Sequence, residues 1–185
     1  MVFAHDTEVA LTTAAALVNT AAEEEGLPDV EALDAFLAQR QWTGRRERTR
    51  AELESVWALR PRLRRLWSAT EDELVASVNA LLRENNALPQ LVRHDAWPYH
   101  LHATSPDAPL AARMAVEAAM GFVDVVRTGE LGRLRVCDHP GCDNVLVDLS
   151  KNRSRRFCEA GCGNRAAVAA YRARRAAQGR AATHR

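Results

Sequence analysis

All four cysteines of this 185-residue chain fall in its last quarter, as Cys137, Cys142, Cys158 and Cys162, with four, fifteen and three residues between them. Two close pairs joined by a longer loop is the layout a tetrahedral metal site requires, because a short turn or a first helical turn brings two sulfurs to one ion. Two disulfides would use the same residues. Against them, the N-terminus Met1 to Glu8 has acidic residues and no basic leader, so secretion is not expected and the thiols are expected in a reducing cytoplasm. A closed four-thiolate set framed by a hairpin and a helix favours zinc over an iron–sulfur cluster. One zinc ion with four protein sulfurs has no open position for water, so its role is structural, and no catalytic residue is assigned.

The flanking residues suit such a site. Leu134 and Val136 read as a short strand, Asp138-His-Pro-Gly141 as a turn, and Val145 to Val147 as one arm of a hairpin. Lys151-Asn152 is expected to turn that hairpin and Arg156-Phe157-Cys158 to return. After Cys162 the chain is rich in Ala and Arg, and past Gly163 it has no Pro or Gly before Gly179, a helix signal. Knuckle, hairpin and helix make a treble-clef-like zinc finger. A piece this small cannot hold itself by burial alone, and a structural zinc contributes on the order of 10 kcal/mol to its folding.

Charge divides at nearly the same place. Residues 1–132 hold 13 Arg and 20 Asp or Glu, whereas residues 133–185 hold 12 Lys or Arg and 4 Asp or Glu. A basic tail on an acidic body suits a polyphosphate partner. The candidate nucleic-acid-binding residues are Lys151, Arg153, Arg155 and Arg156 on the loop, with Arg165, Arg172 and Arg175 along one side of the helix. Arg165 has a second reading, as a brace for Asp148. Asp148, Ser150, Gly163 and Asn164 are read as structural: the first two cap the turn, Gly163 allows close packing, and Asn164 bonds a loop carbonyl or a sulfur.

The remainder reads as mainly α. Asp29 caps a helix carrying Leu33 and Leu37; Thr49 to Trp67 keeps a helical period that Pro61 is expected to kink or divide. Thr70-Glu-Asp-Glu73 is a capping box, opening a helix that stops at Asn85-Asn86. Gln90 to Thr104 reads as a small hairpin, and Leu110 to Arg127 as a long helix central to the core. The expected organisation is a helical domain over 1–130 and a zinc-finger domain over 131–185. No run of eighteen apolar residues suggests a membrane span. Gly161-Cys-Gly163-Asn-Arg-Ala166 satisfies a dinucleotide fingerprint but lies inside the cysteine set, with no βαβ unit around it. His100 and His102 share a strand face with His94 nearby; packed or solvent-facing histidines are the preferred reading over a second metal site or a base. With no nucleophile elbow, phosphate loop or paired carboxylates, an enzyme is not expected.

The segment from Leu146-Val-Asp148 through Ser150, Asn152, Arg153, Arg155, Arg156 and Phe157-Cys158 to Cys162-Gly163-Asn164-Arg165 resembles the CGNR zinc finger, over about residues 130–177. Phe157 stands where that family commonly has Trp. Leu17-Val18-Asn19-Thr20 is similar to the opening element of the ABATE domain, which usually precedes this finger, while Glu54-Ser-Val-Trp57 departs from that domain's usual form. The resemblance implies a bacterial, stress-responsive transcription regulator that binds double-stranded DNA, its helical body dimerising or sensing a signal such as a small-molecule effector. A zinc-finger adaptor for protein or RNA, without sequence-specific DNA binding, is the alternative.

Overall fold

The computed structural model describes residues 2–22, 24–93 and 98–183. Among the described residues six α-helices and two antiparallel hairpins follow one another as α1 (His5–Asn19), α2 (Val30–Gln39), α3 (Arg50–Arg65), α4 (Glu71–Glu84), β1 (Gln90–Val92), β2 (His100–His102), α5 (Leu110–Arg127), β3 (Leu134–Val136), β4 (Val145–Val147) and α6 (Cys162–Thr183). The protein is mainly α. Among the described residues no helix is long and apolar enough to cross a membrane.

The helix starts follow capping chemistry. Asp29 accepts from the Ala32 N–H, Thr49 from Glu52, and Thr70 and Glu73 close a reciprocal capping box. Pro61 neither divides nor ends α3, which continues through it to Arg65. Proline removes one backbone donor there, but Leu59, Arg60 and Leu63 on either side are buried, and their packing outweighs the lost bond. Arg60 forks onto both oxygens of Glu25 at 2.6 and 2.8 Å and ties the α1–α2 connection to α3.

At the centre lies α5, packed on α1, α3 and α4. Phe122 is fully buried and meets Trp67 edge to face at 5.0 Å. Gly121 lets α1 approach closely, since a Cβ there would stand 3.1 Å from Leu11 Cγ. Between α1 and α5 is a cavity of about 20 Å³, lined by Thr13, Leu17, Met114 and Glu117 among others, with room for a single water.

The second hairpin differs from the expected one. β4 pairs with β3, in the register Leu134↔Val147, Arg135↔Leu146 and Val136↔Val145, and not with Arg156-Phe157-Cys158. The knuckle from Cys137 to Cys142 thus sits in the hairpin's own loop. Residues 156–158 form no strand because the Asp148 carboxylate accepts from the Ser150 and Arg155 N–H groups and folds 148–155 back as a loop. A single backbone bond, Asp138 N–H to the Arg156 carbonyl at 2.9 Å, joins the returning chain to the knuckle.

Alternation along β4 decides where the finger sits. Val145 and Val147 belong to the helical core, whereas Leu146 between them packs with Cys137, Cys158 and Cys162. Asn19, at the end of α1, donates through Nδ2 to the Val145 carbonyl and accepts the Val145 N–H at Oδ1, both at 2.8 Å. The indole N–H of Trp67 donates to the Leu146 carbonyl at 3.0 Å, and Arg64 donates to the Asp143 carbonyl. Replacing Asn19 by Ala orphans both main-chain groups of Val145. The expected cost is roughly 1–3 kcal/mol in urea denaturation of the full chain.

Candidate metal centre

Each cysteine is delivered by a different local device. Cys137 follows β3, and its N–H donates to the Asn144 carbonyl at 2.8 Å; Cys142 closes the knuckle by donating to the His139 carbonyl at 3.0 Å, with Gly141 at φ +76° making the turn. Cys158 ends the Asp148 loop, and Cys162 opens α6 after Gly161, at φ +75°. The four sulfurs lie within 4.8 Å of one another, three of the residues buried and Cys142 partly so. Two separations are 3.8 Å (Cys142 to Cys158) and 3.5 Å (Cys158 to Cys162). Zinc–thiolate bonds of about 2.3 Å in a tetrahedron place sulfurs roughly 3.8 Å apart, so the donor set suits that ion.

Hydrogen bonds aim at the sulfurs as well. The Cys158 N–H points at Cys137 Sγ (3.4 Å), Asn144 Nδ2 at Cys158 Sγ (3.5 Å) and Arg165 Nη2 at Cys162 Sγ (2.8 Å). Without a cation the cluster resists full ionisation. Burial together with the neighbouring thiols pushes Cys162 up to about 12, and burial raises Cys142 too. At Cys158 burial opposes ionisation, but bonds from the Ala160 backbone, Asn144 and the adjacent thiols bring it down to about 7. A bound cation reverses this balance by stabilising every thiolate at once.

Behind the sulfurs stands a buried polar frame. Asp148 is fully buried and accepts from Ser150 N–H (2.9 Å), Ser150 Oγ–H (2.5 Å) and Arg155 N–H (2.9 Å). Burial works to raise its pKa, but these bonds and the Arg135 charge hold it below the usual carboxylate range. Arg133, also buried, donates to the carbonyls of Asp148 (2.7 Å) and Ser150 (2.9 Å) and pairs with Glu130 at 2.7 Å. Sequence reasoning missed Arg133 and Asn144, and it placed Asn19 in the ABATE-like opening element without its contact to Val145. For Arg133 and Asn144, an arginine directly before an apolar strand and an asparagine two residues past a ligand are the only signals, and both residue types are common on surfaces.

The other sequence-derived residues fall differently from expectation. Arg165 neither braces Asp148 nor stands free: it donates to Cys162 Sγ and to the Ala160 carbonyl at 2.9 Å. Asn164 is exposed on the first turn of α6, and the amide at the sulfurs is that of Asn144. A Cβ on Gly163 would meet Phe157 at 3.7 Å, an ordinary contact, so no close approach demands glycine there. Arg153 pairs with Glu130, Arg155 with Glu159 and Arg156 with Asp138. Lys151, Arg172, Arg174 and Arg175 are exposed and make no ion pair among the described residues. His100 and His102 lie on β2, away from the thiols, and His94 lies outside the described residues.

Fold and site together define a helical protein carrying a four-cysteine, zinc-finger-like centre. A family model described as "Putative stress-induced transcription regulator", ABATE, matches residues 11–129, and the CGNR zinc finger matches residues 133–175. The chain belongs to the ABATE family, with a CGNR zinc finger at its C-terminal side. A search among curated proteins finds no match.

Asp148→Asn keeps the volume but turns two accepted N–H bonds toward an amide with one acceptor oxygen. We expect a loss of roughly 1–3 kcal/mol in the urea stability of the full chain at pH 7, with faster amide exchange across residues 148–157.

Proposed function

We propose that Cys137, Cys142, Cys158 and Cys162 hold one structural zinc ion, and that the finger so formed docks on double-stranded DNA, making the chain a DNA-binding transcription regulator. The observation that carries this reading is α6. It starts at the last cysteine and runs 22 residues, about 33 Å. Cys162, Gly163 and Ala166 apart, every described side chain on it as far as Arg175 is exposed. Such a helix presents cations to a long polyanion and has little packing of its own to satisfy.

The contact set is narrower than charge alone indicates. Lys151, Arg172 and Arg175 are poised to neutralise phosphates directly. Arg153, Arg155 and Arg156 reach phosphate by leaving exposed ion pairs, which are worth at most about 1 kcal/mol each. Arg165 serves the finger by holding the Cys162 thiolate. That three arginines of the loop are neutralised within the chain is the observation favouring the alternative, an adaptor that meets a protein or RNA partner without sequence-specific DNA binding.

Two measurements test the proposal. Zinc added to the metal-free chain is expected to bind once and to release at least two protons at pH 7, from Cys142 and Cys162; calorimetry in buffers of different ionisation enthalpy counts them. Three phosphate contacts predict that affinity for duplex DNA falls roughly 40-fold between 50 and 200 mM salt, and that Arg172→Gln and Arg175→Gln each lower the slope by about one. Duplex binding that ignores salt, or none by zinc-loaded protein, overturns the DNA reading and leaves the adaptor.

A further inference from the structure

Up to Arg175, the described side chains of α6 that are buried or half-buried are Cys162, Gly163 and Ala166. At about 100° per residue these lie toward one side of the helix, while Asn164, Val168 and Tyr171 fall within about 60° of arc on the opposite side. Val168 and Tyr171 are 47% and 54% exposed, two large apolar groups left in water on adjacent turns. Arg175 continues the stripe one turn on, and Arg172 borders it.

The charge of the helix selects what covers that stripe. From Cys162 to Thr183 there is no acidic residue, so α6 has no carboxylate of its own for its arginines, and a polyanion is the complementary partner. Ala166, Ala167, Ala169, Ala170 and Ala173 occupy positions beside and behind the stripe. A helix with ordinary side chains is about 10–12 Å across, close to the roughly 12 Å width of the major groove of B-DNA. Alanine trims that width and lets the backbone approach the groove floor. The deep, narrow major groove of A-form RNA cannot be read this way. A protein partner would need a contiguous apolar centre, which two side chains among alanines do not make.

The stripe also holds groups that read bases. An asparagine amide pairs bidentately with adenine N6 and N7, and apolar side chains pack on the thymine methyl. Asn164 is exposed, and the amide that serves the sulfurs is that of Asn144. We propose that α6 lies in the major groove of duplex DNA with Asn164, Val168 and Tyr171 against the base edges, so that these residues set a preference for A·T pairs. This rests on the DNA-docking reading of the finger and adds which groove is entered and which residues distinguish sequences. Arg172 and Arg175 keep their phosphate roles: the first lies beside the stripe, and the second is about 20 Å along the helix from Cys162, where a straight helix diverges from the curving groove.

The test uses the zinc-loaded full chain and two duplex probes of equal length, one enriched by that chain from a random-sequence pool and one scrambled from it. Asn164→Ala, Val168→Ala and Tyr171→Ala should each weaken the enriched duplex at least about 5-fold. Affinity for the scrambled duplex and the salt slope should stay as in the parent. Alanine favours the helix at all three positions, and far-UV dichroism and zinc content verify that the variants are folded. Replacing thymine by uracil removes only major-groove methyls; it should weaken the parent and leave the Val168→Ala, Tyr171→Ala double variant unaffected. Distamycin, which fills the minor groove, should not compete. If the chain binds duplex DNA yet enriches no sequence, if the three variants bind the enriched duplex as tightly as the parent, or if distamycin displaces the chain, this inference is overturned and the DNA reading stands. A parent chain that binds no duplex overturns the DNA reading and this inference with it.

Discussion

Strand β4 has three residues and two hydrophobic faces. Val145 and Val147 are part of the helical core, Leu146 is part of the sulfur cluster, and the main chain between them is held by Asn19 and Trp67. Neither group of contacts is dispensable to the other. The sulfur cluster with Leu146 and Phe157 is too small a core to persist alone, while the helical side would expose α1 if Val145 and Val147 withdrew. The register of β3 on β4 therefore decides at once which residues face α1 and which face the thiols.

Much of this is legible in the residues because it depends on local chemistry. The capping box at Thr70, the cap at Asp29, the central helix at Leu110 to Arg127 and the four-cysteine cluster each arise from spacing along the chain. What escapes depends on distant partners. The arm pairing of the finger is ambiguous by pattern, since Arg156-Phe157-Cys158 looks as strand-like as Leu134-Arg135-Val136, and only the burial of Asp148 shows that its loop turns inward. Asn19 is a polar residue at a helix end, where solvent is the ordinary partner; its bond to Val145 crosses 126 positions. For Pro61 the rule for isolated helices predicts a kink or a division, and the division does not occur because core packing outweighs the lost bond.

The same distinction separates the cations. Counting charge locates the basic segment but not the pairs within it: Arg133 is buried under carbonyls, Arg135 leans on Asp148, and Arg153, Arg155 and Arg156 each meet a carboxylate. Arginine suits these tasks because its planar fork serves several acceptors at once. Arginines nearer the cysteines build the finger, and those farther along α6 remain available to a partner.

This division matters for a partner of high negative charge. The helical body is acidic as a whole, so a finger lying flat on it would bring a polyanion against repulsion. Direct docking through β4 keeps the cysteine cluster close, yet α6 leaves from Cys162 with Arg172, Arg174 and Arg175 exposed and in no ion pair among the described residues. Screening over about 8 Å at physiological salt weakens the body's field on solvated side chains such as these. A cysteine cluster held to the body through β4 and a helix whose arginines stay exposed thus place acidic and basic surfaces on one short chain.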